Sequence, residues 1–397
     1  MAGNQREMQR REKREVKDRR NRIIIWSVIA VIVAVLVVMK IFEINVNSVK
    51  DRFTDENGKL SLTQGVSVNN LPYNIDASQN VKMTNFNNRL GILTPNKFIV
   101  FNTKSAEAGY VFEHGYSNPV SASSGIYTLV YDQGGSSYRV DTVSEQVYEE
   151  ELDNTIFCAD VSKNGTAAIA TASEEKLCDI KVFSAALEKK LDISLSYGYI
   201  IDIALSDNSK QIAAAVVSSE NAQLKTTVYF YNLDGSEAGS VQLPSGTLAD
   251  IRYDGKTLWA VGDSYLGIIK NFKYEDVYKQ GTINMKCFNY NLSGDIITAY
   301  GDYTNSTEYT VACVKSSGKI KNEFNITGNV KSISANDTLV SVLMSDETVS
   351  YSINSGEVKE RAPASDAVKS ICRIGSAVYI HKQSVIDVAV KSEDGND

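Results

Sequence analysis

An all-β propeller of eight blades, or seven on the alternative count, preceded by one N-terminal transmembrane helix is the architecture this 397-residue sequence predicts. Three observations carry it. From about Val81 to Val390, short apolar runs alternate with Gly, Asn, Asp and Ser, and no long stretch keeps a 3.6-residue period. Polar markers within those runs, at positions 121, 160, 202, 250, 289, 332 and 370, are spaced 39, 42, 48, 39, 43 and 38 residues apart. A period of about 40 is the length of one four-stranded propeller blade. Ahead of them, sixteen of the seventeen residues from Ile23 to Met39 are apolar.

The first element is a basic tail, residues 1–22, with nine Lys or Arg against Glu7, Glu12, Glu15 and Asp18. Its Glu7/Arg11, Glu15/Arg19 and Asp18/Arg22 spacings suit a charged helix, and contact with anionic lipid would add to that. Residues 23–42 follow as the membrane anchor. At a rise of ~1.5 Å per residue they span roughly 30 Å, a bilayer's hydrocarbon thickness, and in lipid a lone segment satisfies its backbone only as a helix. Ile23, Trp26, Val38 and Phe42 mark this anchor, and Lys40 can snorkel to the headgroups. A cleaved signal peptide is the competing reading. Its apolar region is normally ~7 to 15 residues ending in small residues, whereas Val38-Met39-Lys40-Ile41-Phe42-Glu43 offers no such site. The positive-inside bias keeps the tail in the cytoplasm and sends the rest across the cytoplasmic membrane.

Residues 43–60 read as a polar spacer, with Lys50, Asp51, Arg52, Asp55 and Glu56, and residues 61–391 as the extracytoplasmic propeller, leaving 392–397 as a disordered tail. The clearest repeats join a strand, a tight turn and a second apolar strand. They are Asp160–Gly165 before Ala167–Ala170, Asp202–Asp207 before Gln211–Val216, Asp250–Gly255 before Thr257–Val261, and Asn289–Gly294 before Ile296–Tyr300. Weaker copies begin at Ser121, Ser332 and Ser370, and an earlier unit runs from Val81 to Phe112, which makes eight. The last unit runs out after its third strand, Val385–Val390, whereas residues from about Leu60 to Val68 have no other partner. They are expected to supply the missing outer strand and close the ring, because an open sheet array exposes unpaired edges. A β-solenoid, with repeats of ~20 to 30 residues, and a β-sandwich pair fit eight such units less well.

On the anchor and on His114-Gly-Tyr-Ser-Asn-Pro-Val120, Leu129-Val-Tyr-Asp-Gln-Gly-Gly135, Asp160–Gly165 and Asp202–Asp207, the chain resembles a bacterial family of unknown function. Its members combine a basic tail, one anchor and an extracytoplasmic propeller of the quinone-protein or WD40 kind. The resemblance covers most of the chain after Glu43 and implies fold and location, not activity. With only Trp26 and Trp259, the chain lacks both repeated Trp-Asp pairs and the blade-docking Trp of quinone-binding propellers, so no quinone is expected.

Composition excludes further classes. Beyond Lys40 the chain carries 31 Lys and Arg against 44 Asp and Glu, a net of −13, which repels nucleic acid. With His114 and His381 as the sole imidazoles and no Cys-x-x-Cys, zinc chemistry is not expected. Phosphate-binding and nucleophile-elbow motifs are missing. The Asp-Gly and Asn-Gly pairs read as hairpin turns rather than calcium loops. Accordingly no catalytic, metal or cofactor residues are assigned. Asp160 and Asp202, at matching places in adjacent units, would either ring the axis with carboxylates or satisfy backbone donors at blade junctions, the latter being the ordinary fate of buried polar groups.

Cys158, Cys178, Cys287, Cys313 and Cys372 lie in or beside predicted strands. Cys158 and Cys178 are the best disulfide pair for an exported domain, against which buried free thiols serve equally well as small apolar groups. Tyr197, Tyr199, Tyr265, Tyr274, Tyr303 and Tyr309 either gather on one face or act as ordinary strand residues. His114, Tyr116 and Asn118 are the candidate loop contacts, weighed against a turn set by Gly115, Asn118 and Pro119. The functional expectation is an interaction or scaffold module for another envelope protein. The alternatives are a receptor for a small extracellular ligand such as a sugar or wall fragment, and a propeller hydrolase.

Overall fold

The computed structural model describes residues 70–76, 79–302 and 307–389. The expected anchor, the spacer and residues 60–68 lie outside them. The described residues form 32 strands in eight four-stranded antiparallel sheets. In blades 1 to 7 the strands follow chain order from the axis outward. Their inner strands are Lys82–Phe86, Pro119–Ser124, Ile156–Val161, Tyr199–Leu205, Leu248–Asp254, Asn284–Tyr290 and Ser332–Ala335. That of blade 8 is Val368–Ile374.

Blade 8 closes the ring. Its third strand, Val385–Val388, takes as outer neighbour Tyr73–Asn74 from the beginning of the described chain, with Tyr73 opposite Ile386 and Asn74 opposite Val385. An N-terminal closing strand is therefore as expected, but the residues that form it are Tyr73–Asn74 and not 60–68. The physical reason is the side chain that follows: Ile75 is fully buried against Phe101, Tyr379 and Ile386, and its N–H donates to the Ser384 carbonyl at 2.9 Å.

Alternation along each strand sends successive side chains to the two neighbouring seams. In blade 4, Ile212, Ala214 and Val216 pack toward blade 3, while Ala213 and Ala215 pack toward blade 5. Small Ala side chains, as at Ala167, Ala168 and Ala213–Ala215, are fully buried in the seams, and Trp259, Tyr138 and Tyr265 are buried in others.

Polar side chains stitch the seams. The Asp160 carboxylate accepts the Leu205 N–H of blade 4 at 2.8 Å, Asp202 accepts the Ile251 N–H of blade 5 at 2.8 Å, and Asn289 accepts the Ala335 N–H of blade 7 at 3.1 Å. Ser334 accepts the Arg373 N–H of blade 8 at 2.9 Å. Blade-junction bonding, the ordinary expectation for these acids, is thus what is found. Their matching places are not found. Asp160 pairs with Ala168 one residue from the end of its strand, whereas Asp202 pairs with Ala215 three residues from the end of its own. The residue level with Asp202 in blade 3 is Cys158, because each follows a β-bulge directly.

Turns between inner and second strands link in the same way on the opposite face. Lys163 pairs with Asp207 at 2.7 Å, the Ser209 hydroxyl donates to Ser162 at 2.7 Å, and Asn336 Nδ2 donates to the Gly375 carbonyl at 2.8 Å. Arg373 is a buried polar spoke: Nε donates to Ser341 at 2.7 Å, and Nη2 to Ser350 at 2.6 Å and to Glu360 at 2.7 Å.

Candidate functional site

Inner strands of successive blades meet around the axis. Five of them carry a β-bulge at the same place, near the end where each strand begins: between Ile156 and Cys158, Ile200 and Asp202, Leu248 and Asp250, Met285 and Cys287, and Val368 and Ser370. A bulge breaks the alternation by one residue and re-aims a side chain that would otherwise enter a seam. The five re-aimed residues are Phe157, Ile201, Ala249, Lys286 and Lys369. Phe157 is half-buried and packs against the seam between blades 3 and 4, and the other four are exposed. These four give the axial mouth an apolar arc on blades 4 and 5 and a basic arc on blades 6 and 8, which Lys82 of blade 1 continues.

One step below the bulges lies an acidic tier. Asp250 accepts the Tyr290 hydroxyl at 2.7 Å, and the Arg252 guanidinium sits 4.7 Å over the Tyr290 ring. Burial raises the Asp250 carboxyl, and the Tyr290 hydrogen bond, then Arg252 and Lys82, oppose it. Lys82 belongs to the blade across the ring, so its charge reaches Asp250 through the axis. Burial, then repulsion from Asp250, lifts the Asp202 carboxyl well above the usual range. Burial pushes Asp160 up to about 6 against the N–H donors of Leu205 and Val161. These carboxylates are engaged by the protein's own donors. Among the described residues no three His, Cys, Asp or Glu side chains gather as a metal site.

The loop residues expected as contacts lie elsewhere, in the connection from blade 1 to blade 2. His114 and Tyr116 point inward: both are buried, their rings stacked 4.9 Å apart, and Phe112 and Phe98 continue the file. The His114 ring nitrogens and the Tyr116 hydroxyl are buried without a hydrogen-bond partner. Burial pushes the imidazole below its ordinary value and raises the phenol. Beside them Arg139 covers Phe112 at 3.8 Å and clasps Asp141 through Nε at 2.7 Å and Nη2 at 2.5 Å, while the Tyr110 hydroxyl donates to Asp141 at 2.9 Å. Only Asn118 of the three is exposed.

The tyrosines divide as well. Tyr265 and Tyr309 are buried in seams, Tyr303 lies outside the described residues, and Tyr197 and Tyr199 are exposed. Cys158 and Cys178 stand on the inner and third strands of blade 3, two strand spacings or about 9.6 Å apart. A disulfide requires Cα atoms within about 7 Å, so the pair is excluded, and all five cysteines are free thiols.

The bulged mouth was not anticipated from sequence. Its signal is a single charge inside an apolar alternation, as in Met285-Lys286-Cys287 and Val368-Lys369-Ser370.

Eight radial sheets, a closing strand from the N-terminal side of the described residues and an axial mouth define an eight-bladed β-propeller. The model of the family described as "Family of unknown function (DUF5711)" matches residues 64–388, and the chain belongs to that family. No curated protein matches the sequence. Among solved structures, Sqt1 of Saccharomyces cerevisiae is similar at a TM-score of 0.54 and 8% identity, covering 80% of this chain and 96% of that one. BamB of Moraxella catarrhalis gives 0.48 at 10% identity, covering 77% and 95%. KlAtg21, in a complex with the coiled coil of AgAtg16, gives 0.43 at 13% identity, covering 60% and 82%. Sqt1 supports the fold alone.

Proposed function

We propose that the chain is a membrane-tethered interaction module whose propeller, outside the cytoplasmic membrane, docks an envelope protein on the face where the inner strands begin. One observation carries the reading: exposed apolar side chains concentrate on blade 4 at that face. Tyr199 is 57% exposed, Ile201 42% and Leu224 76%, while Tyr197, in the loop entering the blade and 40% exposed, lies against Tyr229 and Tyr231 on the side toward blade 3. Single exposed apolar residues are ordinary, but a contiguous patch marks a contact surface, and tyrosine is enriched at interface centres.

Blade 4 also overhangs its neighbours. Its second and third strands, Gln211–Glu220 and Gln223–Asn232, have ten residues each, and every other described strand has eight or fewer. The last pairs, Ser218 with Lys225, Ser219 with Leu224 and Glu220 with Gln223, lie beyond Tyr199, the first residue of the inner strand, which is opposite Val217. By register, Tyr199, Val217 and Leu224 share the sheet face that looks toward blade 5. No burial requirement within the blade accounts for an apolar side chain at Leu224. The tether rests on the apolar stretch at 23–42 and its basic flank.

A photo-crosslinking amino acid at position 224, in cells making the full chain, tests the reading. A discrete protein adduct is expected there and none from position 358, exposed on the outer edge of blade 7. No adduct at 224, or the same products at both positions, overturns it. For the tether, protease added to intact cells should remove an epitope tag fused after Asp397.

A further inference from the structure

We infer that the axial mouth binds an acidic segment of the protein partner that carries an apolar side chain, the apolar group seated on Ile201 and Ala249 and the carboxylates meeting Lys82, Lys286 and Lys369. The inference rests on the interaction reading and specifies the chemistry of what is held.

The bulges are the first ground. Five inner strands interrupt their pairing at one level, and on blades 4, 5, 6 and 8 the interruption turns outward a residue whose neighbours are partly or fully buried. A structural role would favour small or uniformly polar residues at these positions. Instead, blades 4 and 5 present an aliphatic and a methyl side chain, and blades 6 and 8 present lysines.

Charge is the second ground. Beyond Lys40 the chain has a net charge of −13, yet three exposed lysines stand at the mouth, of which Lys82 also attracts the Asp250 carboxylate across the axis. Lys82 and Lys286 form no ion pair among the described residues. Lys369 Nζ donates to the Asp366 carbonyl at 3.1 Å, and the Asp366 carboxylate is taken by Lys331 at 2.8 Å. The acids below the mouth are engaged: Asp202 accepts the Ile203 and Ile251 N–H groups, and Asp250 the Tyr290 hydroxyl. Lysines clustered around one mouth attract carboxylates more strongly than lysines scattered over a surface. The exposed apolar arc beside them disfavours a purely ionic partner.

A random 12-residue peptide library displayed on phage and panned against the full chain supplies the probe. Recovered peptides are expected to combine two or more Asp or Glu with a Leu, Ile, Phe or Tyr. The tightest, made synthetically, should lose at least tenfold in affinity to K286E/K369E and to I201E. It should bind L292E, altered on the opposite face, as it binds the parent chain, and K286R/K369R should retain most of the affinity. Basic or neutral peptides, no recovered peptide, or affinity unchanged in the mouth variants overturns the inference. A position-224 adduct obtained alongside any of those results leaves the interaction reading standing. Peptide binding at the mouth without a cellular adduct removes the interaction reading instead.

Discussion

The carboxylate of Asp160 accepts the backbone N–H of Leu205 at 2.8 Å across the seam between blades 3 and 4. At the same level between blades 6 and 7, Asn289 accepts the Ala335 N–H at 3.1 Å. An acid and its amide thus perform one task in a single ring, which separates the hydrogen bond from the charge.

Because burial raises the Asp160 carboxyl to about 6 from an ordinary 3.8, the folded state binds more protons than the unfolded one between those values. The contribution of Asp160 to stability is therefore largest below pH 4 and declines as pH rises through about 6. D160N should keep the bond and abolish that decline, whereas D160A should lose about 1–3 kcal/mol by stranding the Leu205 N–H. Urea unfolding from pH 4 to 7, read by the fluorescence of buried Trp259, checks both.

His114 has the opposite sign. Burial lowers its pKa, so folding excludes a proton that the unfolded chain binds, and stability is full above the ordinary histidine range and lost as pH falls below it. H114F, which preserves the stack on Tyr116, should remove that contribution, so that its melting temperature shifts in favour of pH 5.5 relative to the parent's when pH 7.5 and 5.5 are compared. Differential scanning fluorimetry at the two pH values measures it.

Removing the Arg373 spoke should be costly. R373A deletes a buried guanidinium that donates to Ser341, Ser350 and Glu360, and breaking a buried charged network typically costs about 3–5 kcal/mol. R373K should recover only part, since one ammonium cannot span the three acceptors. Denaturant midpoints of the three proteins give the order.

Ring closure predicts that I75A destabilises the whole propeller by about 2–4 kcal/mol, the ordinary cost of truncating a fully buried isoleucine. Limited proteolysis should then cut first in blade 8, whose outer strand Ile75 holds in place. Cleavage starting elsewhere would argue against that role.

Cys158, Cys178, Cys313 and Cys372 are buried and Cys287 is half-buried, and burial pushes the Cys287, Cys313 and Cys372 thiols up to about 12. A thiol reagent should label the native chain slowly, and all five sites promptly in denaturant without reductant. Fewer than five labelled thiols would indicate a disulfide that the strand spacing forbids.

What the sequence determined by itself is the repeat. Alternation and turn residues act over a few neighbours, so the forty-residue rhythm, the eight units and a closing N-terminal strand were all legible before any coordinates. The ordinary fate of Asp160 and Asp202, backbone donors across seams, was legible as well, because a buried carboxylate has few other options. Only the tertiary structure decided which residues share a level. Strand register sets Asp202 level with Cys158 rather than Asp160, burial of Ile75 selects Tyr73–Asn74 as the closing strand, and the pairing order of blade 3 keeps Cys158 and Cys178 two strands apart. The axial mouth belongs to the same class. Lys82, Lys286 and Lys369 are separated by up to 287 positions, and they meet because a closed ring brings the first turn of every inner strand to one axis.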